Sequence, residues 1–122
     1  MKRKKRRYEF VGGFVFLKRG DKREREYDEI REKTGVSPDE TWSLYTAIAK
    51  FLIPRLKMFR ECTCGYPACL RGGMKEWMNI LKKMEKAFRL IAKDKITYSV
   101  EEDKSIELGL DLFRRYFQSL WW

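Results

Sequence analysis

The segment Ser37–Arg60, SPDETWSLYTAIAKFLIPRLKMFR, decides how the rest of the chain must fold. Ser37 is a favourable N-cap, Pro38 suits the first helical position, and Glu40 stands three residues after the cap. Together they form a capping box with a proline behind it. Apolar side chains then recur at Trp42, Tyr45, Ala49, Leu52, Leu56 and Phe59, in steps of three and four that place them on one helical face. Leu44, Phe51 and Met58 form a second stripe beside it, and Ile48 and Ile53 fill in. Only Ser43, Thr46, Lys50 and Lys57 are left as a polar strip. A helix this apolar has to be covered on more than one side, so the pattern predicts a central helix over residues 38–61. Pro54 removes one backbone donor, yet the stripe stays in register through Leu56 and Phe59, which predicts one kinked helix.

Two further helices follow. Over residues 74–95, Met74, Trp77, Leu81, Met84, Phe88 and Ile91 make a buried stripe, and Lys75, Lys82, Lys86, Arg89 and Lys93 recur on the opposite face. Over residues 100–121, Ser99 and Glu102 form a second capping box. The predicted stripe there is Ile106, Leu110, Phe113, Phe117 and Leu120. Acids at the start (Glu101, Glu102, Asp103) and Arg114 and Arg115 near the end suit the helix dipole. Short connections between three such helices predict a mainly α fold, an antiparallel three-helix bundle.

Upstream, residues 21–34 read as a short charged helix stopped by Gly35, with Tyr27 and Ile30 as its few apolar contacts. Residues 8–17, YEFVGGFVFL, read as a β-hairpin turning at Gly12-Gly13. A lone hairpin is marginal, so Phe10, Phe14 and Phe16 are expected to cover the second stripe of the central helix. Two apolar stripes are equally compatible with a homodimer. The expected organisation is a mobile basic arm, 1–7, and a single helical domain, 8–122, that includes the hairpin.

The charge is unevenly placed. The chain of 122 residues carries a formal net +10. Residues 1–25 hold eleven Lys and Arg against three acids, a net +8, and the remainder is nearly balanced. Lys2, Arg3, Lys4, Lys5, Arg6 and Arg7 are consecutive and cannot build a core. Such an arm points to an anionic partner: nucleic acid or another acidic surface. Binding to phosphates would release counterions and be steeply salt-dependent. Lys82, Lys86 and Arg89 would extend that footprint along a helix face.

Other classes find less support. No apolar run approaches the length of a membrane span, and Val11–Leu17 is too short and interrupted for a signal peptide, so a cytoplasmic location is expected. Cys62, Cys64 and Cys69 all fall in the connection ECTCGYPACLRGG, residues 61–73. A closed zinc site usually needs four Cys or His ligands, the chain has no His, and the spacing is not a standard one. They read as reduced loop thiols; the alternatives are a metal site completed by Glu61 or by a second chain, a disulfide, or a reactive thiol near Arg60 or Arg71. Glu107 and Asp111, one helical turn apart, lack a third ligand and read as surface carboxylates. There is no nucleophile elbow, P-loop or glycine-rich phosphate fingerprint, so neither an enzyme nor a cofactor is expected.

The run Trp42-Ser43-Leu44 with Ala49-Lys50-Phe51-Leu52-Ile53-Pro54-Arg55-Leu56-Lys57-Met58-Phe59 resembles a recurring pattern in small uncharacterised phage and prophage helical proteins. So do Gly65-Tyr66-Pro67, Glu76-Trp77 with Ile80-Leu81 and Lys83-Met84, and the ending Gly109-Leu110, Leu112-Phe113, Tyr116-Phe117 and Leu120-Trp121. The likeness spans residues 39–121. It implies a viral origin and a host-cell cytoplasmic location rather than a reaction. A non-enzymatic phage accessory protein that binds nucleic acid is then the first expectation. An inhibitor or adaptor acting on a host defence protein is the second, with Trp121 and Trp122 as its partner-binding residues.

Overall fold

A computed structural model describes residues 16–122 of the chain. The basic arm 1–7, and all of the hairpin expected over 8–17 except Phe16 and Leu17, lie outside the described residues. Among the described residues the fold is mainly helical, with four α-helices: α1 (Glu24–Thr34), α2 (Leu44–Cys62), α3 (Gly73–Ala92) and α4 (Val100–Tyr116). They fall in two compact units, one ending at Ile48 and one running from Ala49 to Trp122.

The first unit is built around a buried charge. Arg31 on α1 is almost fully buried. Its guanidinium donates through Nη2 to Ser37 and, at 3.3 Å, to Asp39 Oδ1, and through Nε to Glu40 Oε2 at 3.4 Å. Asp28 Oδ1 lies 3.5 Å from its Nη1. Asp39, itself buried, also accepts the backbone N–H of Leu17 at 3.1 Å. A buried cation is tolerable only with acceptors arranged around it in this way. α1 stops at Gly35, as its sequence predicts: Gly35 adopts φ 86°, and its N–H returns to the Arg31 carbonyl at 2.7 Å.

The capping box at Ser37 forms, with the Ser37 N–H donating to Glu40 Oε2 at 2.6 Å. What it caps is not the central helix but a 3-10 turn, Pro38–Thr41. The helix expected from residue 38 begins at Leu44. Local hydroxyls account for the break. Thr41 Oγ1 donates to the Pro38 carbonyl at 2.6 Å, and Thr46 Oγ1 donates to the Ser43 carbonyl at 2.8 Å. Trp42 consequently leaves the predicted stripe. It is half exposed and meets Tyr27 edge-on at 6.2 Å, with the Arg23 guanidinium 5.1 Å from its ring. Tyr45, expected on that same stripe, is exposed too, as are Leu44, Phe51 and Met58 of the second stripe.

In the second unit α2 continues through Pro54 to Cys62. Ala49 and Leu56 are buried there, with Leu52, Ile53 and Phe59 packed against the same core. On α3, Trp77, Leu81, Met84 and Phe88 are buried as predicted. α3 ends at Ala92 rather than 95, because Asp94 turns the backbone to φ 49°. Tyr98 fastens the following connection, donating to the Leu90 carbonyl at 2.7 Å and accepting the Lys95 N–H at 3.1 Å.

α4 starts at the predicted capping box, the Glu102 N–H donating to Ser99 Oγ at 3.1 Å and the Ser99 N–H to Glu102 Oε1 at 3.0 Å. α3 and α4 run antiparallel: Trp77 meets Tyr116, and Phe88 meets Phe113. The buried line of α4 is turned from the predicted one. Gly109 and Tyr116 are buried, whereas Leu110 and Phe117 are exposed. The cause is a close helix approach. A Cβ on Gly109 would stand 2.2 Å from Ala87 Cβ and 2.7 Å from the Lys83 carbonyl oxygen. α4 ends at Tyr116, short of 121, and gives way to a 3-10 turn, Phe117–Ser119.

Candidate nucleic-acid interface

The long outer face of α3 follows from its composition. With Trp77, Leu81, Met84 and Phe88 turned inward, the residues opposite must face solvent. Lys75, Lys82, Lys86, Arg89 and Lys93 are all exposed. At about 100° per residue they lie within roughly 60° of one another, and the strip is about 27 Å long at 1.5 Å per residue. Three of them, Lys82, Lys86 and Arg89, are the predicted contact residues, and the structure sets them on one face. Lys75 and Lys93 lengthen the same line.

The acids of α3 do not neutralise this strip. Glu76 is turned back to accept the Gly72 N–H at 2.7 Å. Glu85 is buried and is taken up by Arg60, which donates through Nε at 2.6 Å and Nη2 at 3.2 Å. That bond raises the Arg60 pKa above its ordinary value. Arg89 stands off from Glu85 at 3.8 Å with its side chain about half exposed. Arg60 thus makes the two hydrogen bonds to the buried carboxylate, and Arg89 keeps only a long ion pair with it. An array of this kind suits phosphates, which lysines meet as point charges and arginines as paired donors.

The six basic residues Lys2–Arg7 lie outside the described residues. Trp121 and Trp122 are 76% and 68% exposed, and they do not close the core. Instead they line a cleft with Tyr66 and Trp77. Tyr66 is the member that sequence reasoning missed; its signal was an aromatic between glycine and proline in an irregular connection. The cleft cannot be read from spacing, because it joins the 63–72 connection to the C-terminal turn.

Cys62, Cys64 and Cys69 are exposed free thiols. Among the described residues no group of three Cys, Asp or Glu side chains is close enough to hold a metal ion, so neither the cysteines nor Glu107 and Asp111 form such a site there. No described helix is long and apolar enough to cross a membrane. In comparison with known proteins, no family model, no curated protein and no solved structure matches this chain.

Proposed function

We propose that the protein is a non-enzymatic phage accessory protein that binds nucleic acid through its basic N-terminal arm and the outer face of α3. The observation that carries this reading is the charge distribution: a net +8 within residues 1–25 of a chain whose remainder is nearly balanced. The exposed line of Lys82, Lys86 and Arg89 supports it; of the acids of α3, Glu76 is turned to the Gly72 N–H, and Glu85 is buried, held by Arg60 and 3.8 Å from Arg89. Electrostatic binding of this type is sequence-tolerant and falls steeply with salt. The viral part of the reading rests on the residue pattern from Trp42 to Trp121.

The test is a titration of the full chain, and of a chain lacking residues 1–7, against DNA and RNA over a salt series. The expected result is a linear fall of log affinity with log salt, with a smaller slope for the truncated chain. Undetectable or salt-independent binding overturns the proposal. The second reading is a module that binds and inhibits a host protein in the cytoplasm. It is favoured by the exposure of Trp121 and Trp122, which is the chemistry of interface anchors. A nuclease-treated pull-down separates the two, because a protein partner survives digestion of the nucleic acid.

A further inference from the structure

We infer that the cleft beside Trp121 and Trp122 accepts an unpaired nucleobase, which makes single-stranded nucleic acid the preferred ligand of this protein. The inference rests on the nucleic-acid reading above and adds the class of strand.

The cleft encloses about 290 Å³, at the small end of the range for ligand sites. Four of the nine residues that line it are aromatic, Tyr66, Trp77, Trp121 and Trp122, with Cys64 and Ser119 among the rest. Trp77 is a fixed element, buried and held edge-on between Phe59 at 6.4 Å and Tyr116 at 5.6 Å. The Tyr66 ring lies over the glycine that opens α3. Gly73 adopts φ 64°, and the Tyr66 ring lies 3.6 Å from where a Cβ would stand. The outer rings, Tyr66, Trp121 and Trp122, stay more than half exposed.

Exposed tryptophan is costly unless a ligand or a partner covers it. No Asp or Glu side chain lines the cleft. The rest of the chain selects a polyanion by charge, with a net +10. A polyanion with a planar aromatic group on every repeat is a nucleic acid strand, and base-on-ring stacking is tolerant of sequence. A duplex keeps its bases stacked inside and offers none to the cleft.

The experiment uses the full chain, oligothymidylate and a blunt duplex of equal length. Indole emission reads occupancy, because thymidylate stacked on Trp121 or Trp122 quenches it. Oligothymidylate is expected to bind more tightly than the duplex and to quench. A Trp121→Ala, Trp122→Ala double variant should lose roughly tenfold or more in single-strand affinity, with duplex affinity and salt slope unchanged. The corresponding Phe variants should retain most of the affinity. Quenching of the unaltered chain is a readout that does not depend on any variant folding. If both polymers bind equally, without quenching, the cleft proposal fails and the nucleic-acid reading stands. If neither binds, both fail together. If the Ala variants lose a nuclease-resistant protein partner and keep full affinity for oligothymidylate, the cleft is a protein interface and the inference is overturned.

Discussion

Arg60 on α2 reaches the buried carboxylate of Glu85 on α3 with two donors, Nε at 2.6 Å and Nη2 at 3.2 Å. The pair joins two helices of the Ala49–Trp122 unit within its own core. Removing Arg60 leaves a buried carboxylate with only Arg89, at 3.8 Å, to answer it. Arg60→Met is therefore expected to cost about 3 kcal/mol in urea unfolding. An Arg60→Met, Glu85→Met double variant should recover most of that loss. A single variant costing no more than an ordinary surface change, about 0.5 kcal/mol, would contradict the account.

The approach of α4 to α3 gives a second prediction. Gly109→Ala places a methyl 2.2 Å from Ala87 Cβ and 2.7 Å from a backbone oxygen that cannot turn aside. The expected destabilisation is about 1–3 kcal/mol, despite the better helix propensity of alanine. Adding Ala87→Gly relieves the methyl contact but not the carbonyl one. Thermal melts of the single and double variants should therefore show partial, not full, recovery.

These two relationships mark what was legible in the sequence. The three long helices were, because periodic apolar spacing needs no knowledge of neighbours, and the charged α1 was read from its Gly35 stop. Two helix boundaries were as well: the stop at Gly35 and the start at Ser99 are local chemistry. The rotation of α4 was not. Gly109 reads as a weak helical residue until the methyl of Ala87 is known to lie opposite. Trp42 fits the α2 stripe by spacing, but the 3-10 turn that ends at Thr41 leaves it ahead of the helix, against Tyr27. Arg31 looks like one more solvated charge on a polar helix, and its burial depends on acceptors from the Ser37–Glu40 turn. In the candidate interface, the exposure of Lys82, Lys86 and Arg89 followed from period alone, whereas the ring of Tyr66 beside Trp121 joins segments far apart in the chain.

The surface of α3 predicts a charge count. Each of Lys82→Ala, Lys86→Ala and Arg89→Ala should lower the slope of log affinity against log salt by about one, uniformly across sequences. The melting temperatures of the two lysine variants should stay close to that of the unaltered chain, since both side chains are exposed, whereas Arg89→Ala also removes the 3.8 Å ion pair to the buried Glu85. Variants that weaken binding without changing the slope would show that these residues act through structure and not through phosphate contact.

Acid sensitivity has a defined window at the start of α4. The Lys95 ammonium, 2.7 Å away, and the Ser99 N–H hold the Glu102 carboxyl down from 4.5 to about 2. A depressed folded-state pKa stabilises the fold above the unfolded value, and that contribution is lost as pH falls through the folded one. Asp21, held to about 2 chiefly by its bonds from Arg23, acts in the same direction at the entrance to α1. Stability should thus decline between pH 4.5 and about 2, and Glu102→Gln should flatten α4's share of that decline. Helicity followed by circular dichroism across this range checks it. An identical pH profile in Glu102→Gln would remove the carboxyl from the explanation.

The missing side chain at Gly109 also has a directional consequence. α3 and α4 touch backbone to methyl at that point, so neither helix can roll about its axis without a clash. The bearing of Lys75, Lys82, Lys86, Arg89 and Lys93 is set on the far side of the same helix. The aim of the cationic face is thereby fixed by a residue that never meets the ligand, much as a keyway fixes the angle of a shaft.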